Sequence, residues 1–225
     1  MKNIFTSCIL LLLTACSSSI SSNKTEAFWL WFVENRAEFE HLNEATRNEK
    51  DEKLNQLLEQ LLKIDDGLAV EVSNESQGVR DLVISAEGDK EKFPVVKEIV
   101  QTAPFIPGWT VTAFRQRSDD DFTLQYRSLR FTPSDMYFYP IAEGDSLDLI
   151  IYSKGLKNHN PDTVAFYGLI AMDNVLGEYD CVMKVRHYDF QDLVDEKDKS
   201  NLKPLKDLPD YVDSFHRNNQ RNKSQ

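Results

Sequence analysis

Leu68-Ala69-Val70-Glu71-Val72-Ser73 alternates side chains facing two ways, and after the turn residues of 74–78 a second extended run follows over 79–86. A period of two puts one face on a core and the other toward solvent, so the spacing predicts two strands joined as a hairpin. Strand following strand without a helix between them points to an α+β chain rather than a doubly wound one.

The rest of the chain extends that reading. Downstream, Pro94 fits the first turn of a helix over 91–103 whose apolar face is Val96, Ile99, Val100 and Ala103, stopped by Pro104 and Pro107-Gly108. Strand patterns follow at 109–115, 122–131, 136–141 and 147–152. Asn160-Pro161 is an N-cap and N1 pair for a helix over 161–176, with Val164, Gly168, Ala171, Met172 and Val175 inward and Gly177 at its end. A strand is expected over 179–188. The expected fold is α+β, a largely antiparallel sheet with two covering helices, 91–103 and 161–176, and an N-terminal helical pair. One domain over 26–195 follows, then a charged segment over 196–225. In that segment Leu205, Leu208, Tyr211, Val212 and Phe215 can dock, and 217–225 is expected to be disordered.

The N-terminal pair starts at Phe28-Trp29-Leu30-Trp31-Phe32-Val33. Phe28, Trp31, Phe32, Phe39 and Leu42 recur near one helical face, which predicts a helix over 26–47 packed on the core. Trp29 lies about 100° round from Phe28 and is expected to be the most exposed ring. Leu54, Leu57, Leu58, Leu61 and Leu62 form the stripe of a second amphipathic helix. Residues 48–51 either break the two helices or continue one long one.

Ahead of these, Lys2 and the apolar run 4–13 have the size of a signal peptide and are too short to span a bilayer. The closing Leu13-Thr14-Ala15-Cys16 resembles the lipobox of bacterial lipoproteins. That resemblance implies a signal peptide over 1–15, diacylglycerol on Cys16 and a lipidated, flexible tether over 16–25. Ser17 implies outer-membrane sorting. Loss of Lys2 with the signal would move the formal charge from −11 to −12. So acidic a chain repels phosphate backbones, which argues against a nucleic-acid partner and leaves membrane affinity to the acyl chains at Cys16. Of the three cysteines, Cys8 leaves and Cys16 is acylated, so Cys181 is expected as a small buried hydrophobe without a disulfide.

A further resemblance rests on Phe28-Trp29-Leu30-Trp31-Phe32, Leu82-Val83-Ile84-Ser85-Ala86-Glu87-Gly88, Phe93-Pro94, Ala103-Pro104, Gly108-Trp109 and Leu176-Gly177-Glu178-Tyr179-Asp180. Together they resemble an uncharacterised bacterial domain-of-unknown-function family with a Phe-Trp-x-Trp-Phe opening. This implies one domain over about 26–195 and carries no activity, cofactor or catalytic residue.

Chemistry is sparse. The chain lacks a Gly-rich phosphate loop, a Gly-x-Ser-x-Gly elbow, His-Glu-x-x-His and Cys-x-x-Cys. His187 and Asp189, two apart on a strand, share a face and are the candidate acid–base pair. His41, His159 and His216 fall in polar segments. Asp119-Asp120-Asp121 lacks the spacing of a calcium loop. Glu178 and Asp180 beside Tyr179 could face Arg186 or a ligand and are expected as solvated acidic surface, while Arg115, Arg117, Arg127 and Arg130 either bind an anion or pair with neighbouring acids. No metal and no cofactor are expected. The reading is a lipid-anchored, non-catalytic binding module of the cell envelope with an envelope protein as possible partner. The alternatives are an envelope hydrolase using His187 and Asp189, or an acidic immunity or inhibitor protein.

Overall fold

The computed structural model describes residues 14–73, 75–118, 121–193 and 196–223. Residues 1–13, hence most of the signal peptide and Leu13, lie outside them, as do the side chain of Cys16 and the backbone of Asp119 and Asp120. The chain is α+β, built as two compact units: residues up to 87 with 91–113, and 88–90 with 114–225. The stretch expected as one domain, 26–195, is shared between them.

In the first unit α1 (Thr14–Asn35) carries Phe28, Trp29 and Phe32 inward, and α2 (Ala37–Glu40) adds Phe39. Phe32 has its ring centroid 5.8 Å from Phe39 and meets Trp109 edge-on at 5.2 Å. Trp29 corrects the expectation of exposure, being only 4% accessible. Burial is tolerable because its indole N–H donates to the carbonyl of Ile99 at 3.0 Å, among the last carbonyls of a helix, which lack partners within the helix. Trp31 is half-buried instead. Helix also runs through 16–25, the expected tether, and Thr25 is buried. Extending a formed helix costs far less than starting one.

The break between the helical pair falls earlier than 48–51. Thr46 accepts from the Glu49 N–H while the Glu49 carboxylate accepts from the Thr46 N–H at 2.8 Å, a reciprocal cap that starts α3 (Arg47–Leu62). Leu57 and Leu61 of its stripe are fully buried. The hairpin is present: β1 (Ala69–Val72) runs antiparallel to β2 (Arg80–Ser85), with Ala69 opposite Ser85. Then α4 (Phe93–Gln101) returns the chain, so that β3 (Trp109–Ala113) lies parallel to β2. A helical crossover is what parallel pairing requires.

In the second unit the expected strand 122–131 folds back on itself, β4 (Leu124–Tyr126) against β5 (Leu129–Phe131). A four-stranded sheet has the order β8-β7-β6-β9, from β6 (Tyr137–Glu143), β7 (Ser146–Ser153), β8 (His187–Asp192) and β9 (Lys203–Pro204). Along β7, Leu147, Leu149 and Ile151 are buried and alternate with more accessible residues. Among the described residues the single sheet expected is therefore three small ones, mostly antiparallel, with β2–β3 and β7–β8 as parallel pairs.

Asn160 caps α5 (Pro161–Leu176) through its side chain, as the sequence indicates. At Gly168 a Cβ would stand 2.4 Å from the Phe190 ring, so only glycine lets α5 approach β8 this closely. The strand expected over 179–188 is mostly helix, α6 (Glu178–Lys184). Its buried side chains Cys181 and Val185 are four residues apart, and Gly177 (φ +81°) turns the chain to begin a new helix rather than a strand. Leu208 and Val212 seat α7 (Leu208–Lys223), which continues through residues expected to be disordered.

Candidate functional site

Of the acids expected on the surface, Glu178 is interior and Asp180 is half-buried. The side chain of Glu178 is fully buried and accepts the backbone N–H groups of Gly88 and Arg115, each at 3.2 Å. Asp180 pairs with Arg117 and, at 2.9 Å, with Lys184. Both cations also reach Asp213 of α7, Arg117 at 2.9 Å and Lys184 at 2.8 Å, so two acids and two bases clamp the C-terminal helix. Arg186 instead grips Asp148 through two hydrogen bonds of 2.8 and 2.7 Å and Glu143 at 3.0 Å.

Hydrogen bonding by Arg117, then by Lys184, holds the Asp213 carboxyl well below the usual carboxylate range. A depressed folded-state pKa contributes stability that is complete above the unfolded value of about 3.9 and fades as pH falls below it. Acid should therefore loosen α7 first. Protection of the Leu208–Lys223 amides, relative to the unfolded chain at the same pH, should fall below about pH 4 in the wild type and change much less with pH in Asp213→Asn, which is already looser at pH 7. Identical pH profiles for both proteins would exclude the clamp as the cause.

The candidate pair His187 and Asp189 lies on the exposed face of β8. No hydrogen bond joins the two; Asp189 accepts from Gln191 at 2.7 Å. Asp189 lines a cleft of about 410 Å³ that His187 does not reach, together with His159, Asp162 and Asp192 over a floor including Leu156 and Phe190. Among the described residues no Ser, Thr or Cys side chain lines it. Cys181 is buried, and burial followed by the nearby Asp173 pushes its thiol pKa well up, which suppresses the thiolate a nucleophile needs. Among the described residues no group of three or more His, Cys, Asp or Glu is arranged to hold a metal.

The four arginines have separate fates. Arg115 pairs with Asp173 at 3.5 Å, Arg117 joins the clamp, and Arg130 is exposed on β5. Arg127 stands at the tip of the β4–β5 hairpin with φ +54°, where a two-residue turn favours glycine. Its guanidinium lies 5.2 Å over the ring of Tyr126. Tyr126 stacks on Tyr167 of α5 at 4.4 Å, and Phe166 meets Tyr167 edge-on at 5.1 Å. Phe166 is 57% exposed and Leu169, one turn on, 43%. Sequence reasoning missed this surface. Phe166 and Leu169, lying outside the inward-facing set of α5, were its one legible signal.

No family model matches the chain, and neither a curated protein nor a solved structure is significantly similar to it. No helix among the described residues is long and apolar enough to cross a membrane.

Proposed function

We propose that the chain is a lipid-anchored, non-catalytic interaction module of a bacterial cell envelope, which docks an envelope protein on the Tyr126–Arg127–Phe166–Tyr167 surface. The observation that carries the reading is Arg127, kept at a backbone conformation L side chains rarely adopt while it is poised over an exposed aromatic stack. Unfavourable backbone geometry of this kind persists where it serves a function. Packed Tyr, Phe and Arg side chains lose little entropy on binding and dominate the energetics of protein interfaces. Arg127 makes no ion pair among the described residues, so the partner should bring a carboxylate to the guanidinium and an apolar side chain to Phe166. The anchor rests on Leu13-Thr14-Ala15-Cys16 and the outer-membrane placement on Ser17.

A photo-crosslinking residue at Leu169 should capture one discrete envelope protein in cells. Arg127→Glu and Phe166→Ala should each abolish the capture while leaving the melting temperature unchanged, because both side chains are exposed. Equal capture by Arg127→Glu, or crosslinking only to a second copy of the chain, would sink the reading. A labelled fatty acid should enter the wild type and Cys181→Ser but not Cys16→Ser; label retained by Cys16→Ser removes the anchor.

A further inference from the structure

The cleft of about 410 Å³ beside β8 and the start of α5 has an amphipathic lining. Its floor is apolar: Leu156 and Val164 are buried, and Phe190 packs against the same core. At the rim stand Asp162, Asp189 and Asp192, with Lys157 as the one described cation. Lys157 is already engaged by Asp192, through its ammonium at 3.6 Å and its main-chain N–H at 3.3 Å. Among the described residues Asp162 and Asp189 therefore face no cation of their own. Asp189 accepts from the neutral Gln191 amide, which leaves its charge in place. Residues 194–198, whose side chains lie outside the described set, hold three acids and one lysine and so add no net positive charge.

The lining selects against most ligands. An anion would need the first-turn amides of α5, but those of Asp162 and Thr163 already donate to the Asn160 side chain at 2.9 and 3.2 Å. A purely apolar ligand would strip water from the two carboxylates and return nothing to them. Floor and rim are satisfied together by a hydrocarbon stem that ends in a cation. Lysine and arginine side chains are built that way, with methylenes that lie along apolar surface while the charged head stays at the edge.

The cleft also continues the Arg127 surface. Asp162, Ala165, Phe166 and Leu169 of α5 are all exposed. Spacings of three and four residues put them on one face of the helix, about 10 Å from end to end. Asp162 and Ala165 line the cleft, while Phe166 and Leu169 belong to the aromatic surface. A protein lying along this stripe reaches both.

We propose that the cleft takes a lysine or arginine side chain of the envelope protein docked on the Arg127 surface, with its stem on Leu156, Val164 and Phe190 and its charge beside Asp162 and Asp189. This rests on the docking reading of that surface and adds a base to the carboxylate and the apolar side chain asked of the partner there.

The full chain, titrated with Nα-acetyl-lysine N-methylamide, should show saturable amide shifts at Val164 and Phe190. The norleucine analogue, with the same aliphatic stem and no ammonium, should leave them nearly unmoved. Asp162→Asn and Asp189→Asn should each weaken binding about threefold, and the two together about tenfold, the usual size for solvated ion pairs. Lys157→Met, which leaves Asp192 uncancelled, should tighten it. All three side chains are exposed, so unchanged melting curves will certify the fold. In cells the doubly substituted chain should lose most of the capture made by the photo-crosslinking residue at Leu169. Arg127→Glu should abolish that capture and leave the titration as in wild type, so failed capture beside an intact titration condemns the docking reading and not the cleft. Equal shifts with the norleucine analogue, wild-type affinity in the doubly substituted chain, or full capture by that chain overturns the proposal.

Discussion

Phe32→Ala should destabilise the first unit by about 3–5 kcal/mol, the largest single-residue effect expected in this chain. The ring is fully buried and touches four aromatic neighbours, stacked on Phe28 and Phe39 and edge-on to Trp29 and Trp109. Truncating a buried Phe costs about 3–5 kcal/mol, because transfer energy is lost and the cavity cannot fully collapse. Domains are stable by only about 5–15 kcal/mol in total, so a large share of the margin disappears. Two companions make the reading specific. Leu30→Ala, on the exposed side of the same helix, should stay within about 0.5 kcal/mol of wild type. Trp29→Phe keeps a ring but removes the indole hydrogen bond to the Ile99 carbonyl, leaving it that of the Thr102 hydroxyl, and should cost about 1 kcal/mol. Urea melts of the three proteins decide the matter, and a wild-type midpoint for Phe32→Ala would show that α1 is not part of a core.

Glu178→Ala should damage the second unit nearly as much without changing any apolar packing. The carboxylate is enclosed and accepts two main-chain N–H groups from segments far apart in sequence, Gly88 and Arg115. Alanine would strand both donors, at about 1–3 kcal/mol each when no water reaches them. Glu178→Gln should fall between alanine and wild type, since the amide oxygen can still accept while its NH₂ meets donors instead of an acceptor. Hydrogen exchange should report the loss at the Gly88 and Arg115 amides before any global unfolding. Exchange at those two amides as slow in Glu178→Ala as in wild type would eliminate this role.

How much of this was legible beforehand differs element by element. Asn160-Pro161 and Gly177 bound α5 where the sequence places them, because a cap and a stop depend on local backbone chemistry alone. The hairpin β1–β2 and the stripe Leu57–Leu61 follow from a period of two and a period near 3.6, which are likewise local. Thr46 and Glu49 show a capping pair that was present in the sequence and overlooked there. The region 179–188 was misread because Tyr179, Cys181, Met183 and Val185 mimic alternation, although only Cys181 and Val185 are buried. Trp29 could not be placed by periodicity, since what buries it is an acceptor 70 residues away.

The sequence by itself determined the α+β class, most element positions, the apolar faces and the net negative charge, all of which depend on neighbours a few residues apart or on composition. Tertiary structure alone decided the parallel pairing of β3 with β2 and of β8 with β7, the interior role of Glu178, the clamp from Arg117 to Asp213 across 96 residues and the meeting of Tyr126 with Tyr167. It also gathered Asp162 and Asp189 into one cleft. The physical reason is the same in each case: a charge or a ring has no fixed partner until the chain closes, and burial then removes water as the alternative.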